Sequence, residues 1–138
     1  SGFAVGSPRL IRYFNDGKYS FNSYTMNPLT LRLGVEAVRD EAYFRSTVDK
    51  IVKTREEAKR ILGEMGFCFP ESCSNFLFIT HPRYRAKELY EALKKEDIYV
   101  RHFSAARIDN YLRVTIGTDD EMAVLYDFLR RYAKRQNT

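Results

Sequence analysis
Apolar positions change their spacing near residue 66. Before it they recur at helical intervals, and beyond it short alternating runs appear between helical ones. Ser7 followed by Pro8 is an N-cap with proline at the first helical position, and it predicts a short helix, "PRLIRYFNDGK", stopped near Gly17. Asn27-Pro28 opens a second helix through "LTLRLGVEAVRD". Phe44, Val48, Ile51, Val52, Ala58, Ile61, Leu62 and Met65 trace a broad stripe on a long helix over about 41–65, with Gly66 as its natural C-cap. "FCF" at 67–69 and "NFLFIT" at 75–80 then read as short strands. "RAKELYEALKKE" is an amphipathic helix with Leu89, Tyr90 and Leu93 inward. "IYVRHF" at 98–103 and "YLRVTI" at 111–116 are strands. Thr118 and Glu121 stand at capping-box spacing before a last helix over 119–134. The expected fold is therefore α+β: a small, mostly antiparallel sheet with helices 84–96 and 119–134 on one face. "GFAVGS" at the start reads as a short buried strand with no partner nearby in sequence, expected to be disordered or to pair with a neighbouring molecule.

Composition narrows the class. The 138 residues suit one domain, and 44% apolar with 30% charged residues is a soluble globular balance. The net charge of +5 is spread among acidic residues, with no run resembling a nucleic-acid arm. Cys68 and Cys73 flank Pro70, and two thiols of this kind fit a reducing compartment better than a disulfide framework. His81 and His102 have no metal-ligand spacing. No stretch is apolar enough to span a membrane, and the cytoplasm is the expected location. Phosphate-binding glycine loops, nucleophile elbows and metal signatures are all missing from the sequence. Most tyrosines and phenylalanines stand at core spacing, Tyr24 in the "YSFNSYTMN" loop being the exception, and His102 reads as an edge or core residue.

Candidate chemistry comes from two arginines. In "YLRVTI", Leu112, Val114 and Ile116 share one face, which puts Arg113 and Thr115 on the other. In "IYVRHF", Ile98 and Val100 point one way and Tyr99 and Arg101 the other. An antiparallel hairpin centred on Arg107 matches Ile98 with Ile116 and Val100 with Val114, and sets Arg101 opposite Arg113. Opposed like charges destabilise a sheet by about a few tenths to 1 kcal/mol. Such a pair is either solvated or a clamp for a carboxylate or phosphate. A two-residue slip would separate it.

"GFAVGSPRLI", "YSFNSYTMNPL", "TREEAKRILGEMGF" leading to "SNFLFI", "IYVRHF" and "YLRVTIGTDDE" together resemble the histidinol-phosphate aminotransferases, of the fold-type I, class I/II group. The resemblance runs over nearly the whole chain. It implies a pyridoxal-phosphate enzyme of histidine biosynthesis, moving an amino group between glutamate and imidazole-acetol phosphate. It also implies a cytoplasmic homodimer with a large cofactor domain and a small C-terminal domain. By that resemblance, Arg113 binds the substrate's anionic group and Arg101 lies near it. The family's Schiff-base lysine motif, cofactor-phosphate arginine and pyridine-ring residues do not occur in this sequence, whose first lysine is Lys18. The expected organisation is a remnant of the large domain and its linker at 1–27, and the small domain at 28–138. No catalytic or cofactor-binding residue is expected here, nor bound pyridoxal phosphate or activity of the chain alone. Aspartate at 97, where the family often has glycine, is compatible with a left-handed turn. A related aminotransferase or a threonine-phosphate decarboxylase is the alternative within the class. A nucleic-acid-binding module is the more distant one, since "VRHFSA" and "RVTIGT" lack paired base-stacking aromatics.

Overall fold
A computed structural model describes residues 3–22 and 26–136, so Tyr24 lies outside the described residues. The chain divides into two compact units, Ser1–Phe44 and Arg45–Thr138.

The first unit holds helices α1 (Pro8–Phe21) and α2 (Pro28–Arg39), with α3 (Glu41–Glu64) starting at its end. Both predicted caps form: Ser7 Oγ accepts from the Leu10 amide at 3.4 Å and Asn27 Oδ1 from the Thr30 amide at 2.8 Å. The stop expected at Gly17 does not occur. Helix α1 runs four residues further, because one glycine weakens a helix without breaking it. Residues 3–6 are exposed and irregular rather than a buried strand. A strand requires a ladder partner, and no described residue pairs with them.

The second unit is an antiparallel sheet under helices. Strands β1 (Phe76–Ile79), β2 (Arg101–His102) and β3 (Leu112–Thr115) lie in the order β1-β3-β2. Leu77, Ile79, Leu112 and Val114 supply the buried face. Packed into the same core are Ala58, Ile61 and Leu62 of α3, Leu89 and Leu93 of α4 (Ala86–Lys94), and Met122, Leu125, Phe128 and Leu129 of α5 (Asp119–Gln136). This is the α+β arrangement the pattern predicts. The capping box also forms, with Glu121 Oε2 accepting from the Thr118 amide at 2.7 Å and Thr118 Oγ1 from the Glu121 amide at 3.3 Å. The amide hydrogen bond holds the Glu121 carboxyl below its ordinary range.

Two strands are much shorter than expected, and one apolar stripe is buried over less of its length. The strand at 67–69 reduces to a single bridge, Cys68 with Thr80, closed by two backbone bonds of 2.8 Å. The strand at 98–103 keeps only Arg101 and His102 in the ladder, since the Ile98 amide bonds back to the Leu93 carbonyl at 3.1 Å. Asp97 makes that turn at φ 57°, the left-handed conformation aspartate tolerates. The stripe on α3 is buried only in its last turns: Phe44 is 61% exposed, while Ala58 and Leu62 are fully buried. Gly66 ends the helix at φ +86°, and a Cβ there would come within 3.1 Å of His81 Nε2.

Candidate anion site on the outer face of the sheet
Alternation along the strands assigns the face opposite the core. The pairings on that face put Phe76 beside Thr115, Phe78 beside Arg113, and Arg113 beside Arg101. The expected register, with Arg101 opposite Arg113, is therefore the one the sheet adopts. Asn110 fixes the start of β3. Its Oδ1 accepts from the Ala86 amide at 3.0 Å, and its carbonyl accepts from Thr80 Oγ1 at 2.6 Å. The loop before it turns through Arg107 at φ 76°. His102 Nε2 lies 2.8 Å from the Asp109 carbonyl, so that nitrogen carries a proton and donates. Sequence reasoning missed Asn110, whose signal is only an asparagine immediately before a strand.

Some arginines elsewhere on the surface sit against carboxylates, Arg60 with Glu64 at 2.7 Å and Arg130 with Asp127 at 2.9 Å. Arg101 and Arg113 instead have aromatic partners. The Arg113 guanidinium lies over the Phe76 ring at 5.2 Å and that of Arg101 over the Phe103 ring at 5.3 Å. Phe78 stacks on Tyr111 with centroids 4.6 Å apart and meets Phe103 edge-on at 5.9 Å. The expectation that most aromatics are core residues is thus corrected: Phe67 and Phe128 are buried, but Phe76 and Tyr99 are exposed on or beside this face. Repulsion between the arginines is eased because each ring offers its negative face to one cation.

A depression of about 470 Å³ lies over the pair, and Tyr90, Tyr99, His102 and Thr115 join the arginines in lining it. The Arg113 Nε is buried without a hydrogen-bond partner. Among the described residues, neither arginine is paired with a carboxylate. Chemically, the depression offers guanidinium donors and ring faces, which suits an anion. It does not fit a covalently held aldehyde cofactor, because an imine needs a lysine amine and no lysine lines it. No cluster of His, Cys, Asp and Glu able to hold a metal occurs among the described residues, and none of the described helices is long and apolar enough to cross a membrane.

Comparison with known proteins agrees over most of the chain. The family model for "Aminotransferase class I and II" matches residues 1–129. A histidinol-phosphate aminotransferase of Brachyspira hyodysenteriae is 47% identical over 133 residues, covering 96% of this chain and 38% of that protein. That of Lactococcus lactis subsp. cremoris is 43% identical over 135 residues, with 98% and 38% covered. The present chain thus spans 38% of the length of these relatives. In fold it is similar to the solved histidinol-phosphate aminotransferase of Sinorhizobium meliloti, in complex with pyridoxal-5'-phosphate: TM-score 0.76, 19% identity, 93% of this chain and 36% of that one. A structure from Erwinia carotovora atroseptica superposes with TM-score 0.83 at 19% identity, covering 96% and 37%.

Proposed function
The chain belongs to the class I and II aminotransferases, and on that premise we propose that it is the substrate-anion-binding part of a histidinol-phosphate aminotransferase. The arginine pair carries this reading: two cations set opposite each other by the register, with no carboxylate between them, lining one depression. In the complete protein the reaction moves an amino group between glutamate and imidazole-acetol phosphate. Pyridoxal phosphate supplies the electron sink for that exchange. Its anchoring lysine would come from chain outside the present residues, which in this reading hold and orient the substrate.

Arg113 is the principal anion ligand and Arg101 its helper. They neutralise the carboxylate or phosphate and fix the distance of the amino group from it. Residues 1–27 would belong to the large cofactor domain and its linker, and 28–138 to the small domain. The complete enzyme would be a cytoplasmic homodimer acting on small molecules, and this chain alone would lack transaminase activity. Discrimination from a related aminotransferase or a threonine-phosphate decarboxylase lies in which phosphorylated amine is turned over, since an arginine pair accepts several anions. Against a nucleic-acid reading, the Phe78 and Tyr111 faces are stacked on each other, leaving them no common platform for bases.

The test is histidinol-phosphate transamination by the complete protein. Arg113→Leu should lose a charge-assisted contact worth roughly 1.5 to 3 kcal/mol, about ten- to a hundredfold in kcat/KM. Arg101→Leu should lose as much or somewhat less, and the double variant less than the sum, since both serve one anion. Thermal unfolding should hold or rise. Near-native turnover by Arg113→Leu would refute the assignment.

A further inference from the structure
The Arg113 side chain does not stand free over the sheet. Its guanidinium rests over the Phe76 ring, two residues along the neighbouring strand from its direct partner Phe78. The backbone of Phe76 is itself held. Ser72 Oγ donates to its carbonyl at 2.7 Å, and its amide donates to Ser74 Oγ at 3.3 Å. A guanidinium can meet an oxyanion through its side edge, Nε with one terminal nitrogen, or through its end, the two terminal nitrogens. The buried Nε closes the side edge.

Resting on the anion-site reading above, we infer that Phe76 is a positioning residue: its ring fixes the Arg113 guanidinium so that substrate anion is taken end-on by the two terminal nitrogens. A cation over a ring face loses sliding and tilting freedom before the ligand arrives, so less ordering remains to be done on binding. Phe103 serves Arg101 in the same way, and Phe78, edge-on to Phe103, stiffens the layer between the two. The rings also keep the two like charges on separate supports, where an anion can bridge them without first prising them off carboxylates.

The experiment is steady-state kinetics of the complete protein with histidinol phosphate and 2-oxoglutarate, with thermal unfolding of each variant. F76L keeps apolar bulk and removes the ring; it should raise KM for histidinol phosphate roughly three- to thirtyfold. Turnover at saturation should stay within about twofold, and the melting temperature should be unchanged. F76Y, which restores a ring face, should bring KM back. In an R113L background, F76L should add nothing. Native KM in F76L alongside an impaired R113L would overturn the role of Phe76 and leave the anion site standing. Native behaviour of R113L would instead overturn the anion site itself. If F76L lowers the melting temperature and F76Y fails to restore KM, the ring is packing alone and the inference is wrong.

Discussion

Two guanidinium groups opposed across a ladder repel each other, and Arg101 and Arg113 meet that repulsion with rings rather than with carboxylates. Alternation and a symmetric hairpin were enough to read this pair from the sequence, because side-chain period in a strand is fixed at two and a hairpin centred on Arg107 sets positions 101 and 113 opposite each other. The rings beneath the pair were not legible, since a phenylalanine on the outer face has the same local spacing as one on the core face of a neighbouring strand. His81 was passed over for a similar reason: nothing local marks it as buried. It is 4% exposed, stacks on Tyr84 at 4.1 Å, and its Nδ1 accepts from the Arg83 amide at 3.1 Å. The other nitrogen then donates to the Met65 carbonyl, 3.3 Å away, so the ring is neutral. Burial lowers its pKa from the ordinary 6.5, the Met65 carbonyl opposing and the Arg83 charge reinforcing the shift. Unfolded His81 takes a proton near its ordinary pKa while the folded group resists until lower pH. Stability from this group is therefore complete above about 6.5 and is lost as pH falls toward the folded value. The urea midpoint should drop between pH 7.5 and 5.5, and His81→Gln should flatten that slope; an equal slope in the variant would show that His81 is not its source.

At the scale of elements, helices with polar caps were read well and strand lengths poorly. Caps announce themselves through side chains such as Ser7, Asn27 and Thr118, which satisfy amides at the helix start. Strand ends depend on bonds made outside the run itself: 98–103 shrank because the Ile98 amide bonds back to Leu93, and 67–69 keeps only the Cys68–Thr80 bridge. Gly17 misled because a glycine inside an amphipathic pattern looks the same as one that ends it. It lies within α1, and a Cβ there would meet nothing within 4 Å. Gly17→Ala should therefore strengthen α1 by about 0.5 to 1 kcal/mol through reduced chain entropy. Circular dichroism at rising temperature should show higher helicity and a later loss of it. A fall in helicity would mean that Gly17 has a packing role.

The molecule as a whole exposes apolar surface unevenly. Helices α1 and α2 bury no residue, while Leu29 and Val38 are 67% and 84% exposed and Val48 and Val52 of α3 stand partly open. Apolar faces of this kind are interaction surfaces or association liabilities. Sedimentation of the chain alone should show apparent mass rising with concentration, and Leu29→Glu with Val38→Glu should reduce that rise without moving the melting temperature. A concentration-independent monomer would count against the prediction. The second unit has an unevenness of its own. Arg113 is carried by the central strand, bonded on both sides, whereas Arg101 is carried by a two-residue edge strand. Short edge segments open locally far more often than central ones. In the proposed clamp, one jaw is thus built on the central strand of the sheet and the other on the edge strand that frays first. An arriving anion would have to hold β2 shut, drawing part of its own binding energy for the purpose, and amide exchange at Arg101 and His102 would slow while that at Val114 hardly changed. Release of product would then need no motion larger than the unzipping of two residues.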